Sequence, residues 1–120
     1  MNRRHLLRGA AAAAIACLSL AGPGLARAEP AELDQGIRAL QSEWAVIQYQ
    51  TPEREREARF EGLSHQAQAL TARYPDRAEP HIWEGIVLSS WAGAKGGLGA
   101  LSIAKQAKAE YESAIKIDRK

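Results

Sequence analysis

Leu33, Ile37, Leu40, Trp44 and Ile47 recur at spacings of four, three, four and three. An α-helix turns once in 3.6 residues, so this spacing puts all five on one face. Phe60, Leu63, Ala67, Leu70 and Tyr74 repeat the pattern at three, four, three and four. Between the two runs, Thr51-Pro52 interrupts, because proline lacks a backbone donor and fits only a first helical turn. Glu53, Glu55 and Glu57 follow, where the helix dipole favours carboxylates. "YPDRAEP" ends the second helix and opens a third, with Asp76 and Glu79 at capping-box spacing. The third helix carries Trp83, Val87, Ser90 and Trp91 on one side. A glycine-rich stretch leads to a fourth, with Ala104, Ala107, Tyr111, Ala114 and Ile117. No window alternates convincingly with period two, so no sheet is expected. The pattern predicts an all-α chain of two antiparallel helical hairpins, four helices in all.

Residues 1–28 have a different character. Arg3, Arg4 and Arg8 form a basic start, and Gly9 to Leu20 is an apolar run shorter than the roughly 20 residues a bilayer span needs. Gly22 and Pro23 break the run. "ARA" then sets the small residues Ala26 and Ala28 three and one before a cut. This is the layout of a secretory signal peptide cleaved after Ala28, which leaves residues 29–120 as the domain. "RRHLLR" also resembles a twin-arginine address, so the general secretory and twin-arginine routes both stay open. Cys17 offers a third course, a lipoprotein cut before that cysteine, although "AIA" is a poor lipobox.

Cleavage changes the bulk properties. The remaining 92 residues hold 12 basic and 14 acidic side chains, a net charge of −2. No basic excess points to nucleic acid or to an anionic membrane. The single cysteine leaves with the signal, so no disulfide forms and stability rests on packing.

Leu63, Ala67, Leu70 and Pro75 stand at spacings of four, three and five, and Ala107, Tyr111, Ala114 and Arg119 repeat them 44 residues later. "AKAEYESAIKIDRK" resembles the second helix of a tetratricopeptide (TPR) unit, in which an alanine, an aromatic, a second alanine and then a proline recur. Arg119 stands where that proline belongs. "HIWEGIVL" supplies Gly85 at the small position where helices approach, whereas His81, Glu84 and Leu88 replace Trp, Leu and Tyr. The period of 44 also departs from the family's 34. "TPR-like", of α-solenoid type, is the fitting description. The resemblance covers about Asp76 to Arg119, and more loosely Ala31 to Pro75. It implies a concave helical surface for a peptide or partner helix. Signal, hairpin and glycine-rich turn together are similar to those of the periplasmic TPR-like component associated with tripartite (TRAP-type) solute transporters.

The stretch "AGAKGGLGAL" invites a different reading, as a phosphate cradle. A P-loop needs lysine directly after glycine and a hydroxyl next, but Lys95 follows Ala94 and precedes Gly96. A dinucleotide fingerprint would need glycine at Ser102. Both motifs also follow a strand. Geometry remains: Gly93 is expected to end helix three, and Gly96, Gly97 and Gly99 to turn the chain. The competing expectation is an anion held by the amides of Gly96, Gly97 and Gly99, with Lys95 and Ser102 beside them.

No catalytic or metal-binding constellation is found. His65 and His81 have no metal-ligand spacing, with His65 expected in solvent and His81 in a capping or packing contact. No serine lies in a nucleophile elbow. Glu53, Glu57 and Glu61 are interleaved with Arg54, Arg56 and Arg59, the pattern of a solvated face. Trp44, Trp83 and Trp91 are the candidate partner-binding residues. Trp83 and Trp91 lie about 80° apart around their helix, too far for one narrow stripe.

The sequence thus predicts an exported, periplasmic, non-enzymatic module without a cofactor. It is expected to bind another periplasmic protein or peptide, not nucleic acid, and to have no stable membrane insertion after processing. The alternative is a small-ligand or anion carrier using the glycine turn or a tryptophan-lined groove. Leu101, Ile103, Ile115 and Ile117 spread around more than one face of helix four. Its outer face is therefore expected to be covered, by a second copy in a homo-oligomer or by further residues of a longer chain.

Overall fold

A computed structural model describes residues 29–119, which form four α-helices and, among the described residues, no strand. They are α1 (Glu29–Gln50), α2 (Glu53–Arg73), α3 (Ala78–Lys95) and α4 (Gly99–Ile117). The chain divides into two compact units, Met1–Glu32 and Leu33–Lys120. Of the first unit only the opening turn of α1 is described. The expected signal peptide, with Cys17 and the expected cleavage residues Ala26 and Ala28, lies outside the described residues. No helix among them is long and apolar enough to cross a membrane.

The two 3–4 periodic runs become the core. Leu33, Leu40 and Ile47 of α1 pack against Phe60, Leu63, Ala67, Leu70 and Tyr74 at the end of α2, joined by Val87 of α3. All are buried, and each large aliphatic side chain taken from water contributes roughly 1.5–3 kcal/mol. Ile37, Trp44, Trp83 and Trp91 lean on this cluster from its edges. A second cluster, Leu88, Ala92, Ile103 and Ala107, joins α3 to α4, with Trp91 touching both clusters.

The turns are short, which makes successive helices antiparallel. At the first turn Thr51 is buried and its hydroxyl donates to the Val46 carbonyl at 3.0 Å. The Thr51 carbonyl accepts from Arg56 Nε, also at 3.0 Å. At the second turn the capping box does not form. The Arg77 amide donates to the Tyr74 carbonyl at 3.2 Å, closing a turn that starts α3 one residue later. Arg77 is therefore the N-cap, without a side-chain cap bond, and Asp76 and Glu79 are out of register.

The third turn corrects a second expectation. Gly93 does not end α3, which continues to Lys95. Gly96 ends it, with φ 67° and its amide bonded to the Ala92 carbonyl at 2.9 Å. Gly97 follows at φ 68°. Two consecutive left-handed residues explain the glycine pair, because a Cβ in this region meets the backbone.

In α4 the inward face is Ile103, Ala107 and Ala114, with Tyr111 partly buried beside them. Ala104 and Ile117 are exposed, against expectation. The cause is Ile103, one residue from Ala104, which fills the space against Leu88 and Ala92.

Helices α3 and α4 meet closely at Gly85. A Cβ there would lie 2.6 Å from Cε1 of Tyr111, whose hydroxyl is 3.3 Å from Ser89 Oγ. Gly85→Ala should therefore lower stability by about 1–2 kcal/mol, the clash outweighing the better helix propensity of alanine. Gly97→Ala should cost on the order of 1 kcal/mol through its backbone alone, since nothing lies near its added methyl. Gly93→Ala should raise stability by about 0.5–1 kcal/mol, because Gly93 is helical and its surroundings are open. Urea unfolding of the three variants checks both sign and order.

Candidate functional site

Three groups of residues could carry function: an aromatic row, a polar cluster and the glycine turn. The row begins with Trp44 in the middle of α1. Its indole Nε1 donates to Ser90 Oγ of α3 at 2.8 Å, and Ser90 in turn donates to the Ile86 carbonyl at 3.0 Å. The serine hydroxyl thus accepts one bond and donates one, using its single proton fully. Trp83 meets Trp44 edge-on at 6.4 Å, and Tyr49 does so at 5.9 Å. Edge-to-face geometry at such distances is the favoured arrangement of aromatic pairs. Tyr49 is 73% exposed.

The structure brings Trp44 and Trp83 together and leaves Trp91 out. Trp91 bridges the two apolar clusters, and its Nε1 is buried without a hydrogen-bond partner. It is a packing residue. Tyr49 takes its place in the row. It lies five residues after Trp44, off the periodic face, so spacing does not reveal it.

The polar cluster lies where α2, α3 and α4 converge. His81 sits between two acceptors: Nδ1 is 2.7 Å from Glu110 Oε1, and Nε2 is 2.9 Å from the Pro75 carbonyl. A carbonyl and an ionised carboxylate only accept, so this pair of acceptors favours the imidazolium form, in which both ring nitrogens donate. Burial alone lowers the His81 pKa, but these two bonds and the charges of Glu110 and Glu84 bring it above its ordinary value of 6.5. Glu84, one turn along α3, is only 6% exposed. Burial chiefly raises its pKa above the ordinary 4.5, and the Glu110 charge adds to this, while a bond from Thr71 and the charge of His81 oppose it. The Thr71 hydroxyl also lies 3.0 Å from the Ala67 carbonyl and has one proton for two acceptors.

This cluster has a signal in the sequence that composition hides. Glu84 is the one charged residue, beside His81, in the apolar stretch from Pro80 to Ala94, and the pair is three residues apart on one helix face. His65, by contrast, is exposed. No group of three or more His, Cys, Asp or Glu among the described residues is arranged to hold a metal ion.

At the glycine turn, Lys95 Nζ bonds Glu57 Oε2 of α2 at 3.1 Å. The lysine stem lies across Gly99, where a Cβ would be 2.6 Å from Lys95 Cε. The amides of Ala100 and Leu101 donate to the carbonyls of Gly97 and Leu98, each at 3.2 Å. Ser102 is exposed. The cation and two of the amides around the start of α4 are thus engaged within the chain.

Comparisons with protein-family models, with curated proteins and with solved structures found no match.

The polar cluster sets a pH dependence. His81 and Glu84 both hold their protons more tightly folded than unfolded, so both contributions are complete at low pH and lost as pH rises. The Glu84 step begins above 4.5 and the His81 step above 6.5. Urea midpoints measured from pH 4 to 9 should therefore fall in two stages. Glu84→Gln should remove the first stage and His81→Gln the second. A Glu84→Gln profile parallel to that of the wild type contradicts the assignment.

Proposed function

We propose that this chain is an exported, TPR-like interaction module without catalytic activity of its own. Its partner is another periplasmic protein or a peptide that docks on the row Tyr49–Trp44–Trp83. The observation that carries the reading is the pinning of a surface aromatic. The bond to Ser90 holds the Trp44 ring in edge-on contact with two further rings, one of them mostly exposed. Preordered aromatic rings give up little entropy on binding, and tryptophan and tyrosine are enriched among the residues that dominate interface energies. The charge of −2 on residues 29–120 favours a protein partner over nucleic acid. The similarity of signal, hairpins and glycine turn to the helical component of TRAP-type transporters makes a solute-transport protein the first partner to test. A carrier using the glycine turn is the weaker reading, because Lys95 already serves Glu57.

A photo-crosslinking phenylalanine analogue at position 49, in cells that export the protein, tests the proposal. It should give one discrete protein adduct, and the same group at Glu61, exposed on α2, should not. Adducts equal at both positions, or none at either, overturn it. Intact mass tests the export half. The secreted chain should begin at Glu29 without lipid, and a product beginning at Cys17 with acyl chains contradicts a free periplasmic protein.

A further inference from the structure

An exposed stripe of α4 has a pattern of its own, and at its far end Ile115 borders a groove shared with Ala78 and Ile82 of α3. Leu101, Lys105, Lys108, Glu112 and Ile115 follow at spacings of four, three, four and three, so they form one stripe along the helix. All five are exposed, Leu101 by 58% and Ile115 by 57%. The ion pairs Arg59–Glu43, His81–Glu110 and Lys95–Glu57 leave Lys105, Lys108 and Glu112 outside them. Two large apolar side chains about 21 Å apart, at 1.5 Å per residue, thus bracket three charges. A solvated helix face has no need of such anchors, and each forgoes burial worth more than a surface charge pair supplies.

The order of chemistry along the stripe selects its occupant. Read forwards it is apolar, positive, positive, negative, apolar. Read backwards it is apolar, negative, positive, positive, apolar. When two such stripes lie antiparallel with Lys108 at the centre, Leu101 of each copy faces Ile115 of the other. Lys105 comes within one residue, about 1.5 Å of rise, of level with the other copy's Glu112. Both apolar anchors and both acid–base pairs are then satisfied twice, as a two-fold interface requires. α1 offers no such match: Glu32, Asp34, Gln35, Arg38, Gln41 and Ser42 are exposed and polar, and its large exposed side chain, Tyr49, belongs to the aromatic row. We propose that this chain forms a two-fold dimer through antiparallel pairing of α4 with α4 of a second copy, along Leu101, Lys105, Lys108, Glu112 and Ile115. Lys108 meets its own symmetry mate, with the other copy's Lys105 about 4.5 Å of rise away, and these like-charge contacts keep the dimer weak enough to exchange.

Sedimentation equilibrium of the full chain at micromolar concentrations tests the pairing. The wild type should be a dimer. Lys105→Glu and Glu112→Lys should each raise the dimer Kd by about tenfold or more, since each sets two like-charge contacts across the axis. The double variant should restore the wild-type value. Lys108→Gln should lower the Kd. In a Cys17→Ala background, Lys108→Cys should form a disulfide-linked dimer under mild oxidation, and Gln66→Cys on α2 should not. This last readout needs no charge reversal and stands even where a reversed variant folds poorly. A monomeric wild type overturns the proposal. So does a dimer indifferent to the single reversals, as expected if residues 1–28 or an unrelated helix occupied the stripe, or a double variant weaker than either single one.

Discussion

The bond from Trp44 Nε1 to Ser90 Oγ joins the first helix of one hairpin to the first helix of the next. Apolar packing brings α1 and α3 together but is non-directional, and it leaves their rotation about each other loosely set. A hydrogen bond of 2.8 Å between two partly buried side chains is directional and adds the orientational constraint that packing lacks. Because Ser90 also donates to Ile86, the serine cannot turn away to serve the indole differently. The edge-on contacts of Trp44 with Trp83 and Tyr49 follow from that one orientation. The surface that carries the proposed binding function is therefore a by-product of how the hairpins are fastened.

The second hairpin is fastened by other means. Gly85 lets Tyr111 lie flat against α3, and the imidazolium of His81 ties α3 to Glu110 of α4 and to the carbonyl of Pro75. Glu84, buried beside them, keeps that junction polar. A buried polar network of this sort fixes register at some cost in stability, and it makes the junction tighter in acid than in base. The outer stripe of α4 lies on the opposite side of the same helix, so the proposed pairing leaves the cluster untouched.

Much of this was legible in residue spacing. The faces of α1 and α2 could be read because leucine, isoleucine and phenylalanine seldom sit in water without a reason. α4 was harder. Alanine is neutral between core and surface, so Ala104 and Ala107 fit two overlapping stripes, and only the contact of Ile103 with Leu88 and Ala92 decides between them. Gly93 and Gly96 are alike as letters, and the one that ends α3 is set by where the chain must reverse. The capping box failed by one residue, since the turn closed by Arg77 lay beyond any local pattern. Tyr49 joins Trp44 and Trp83 in the aromatic row from five residues beyond Trp44, off the periodic face, where spacing gives no sign of it. The salt pairing of Lys95 with Glu57 spans 38 residues and has no signature in sequence.

A double-mutant cycle on Trp44→Phe and Ser90→Ala measures the fastening most directly. The coupling free energy should be about 0.5–1.5 kcal/mol in urea unfolding, with Ser90→Ala also loosening the Trp44 ring as seen in the nuclear magnetic resonance signal of its indole N–H. Strictly additive variants, with the Trp44 ring as immobile without Ser90 as with it, would contradict the fastening.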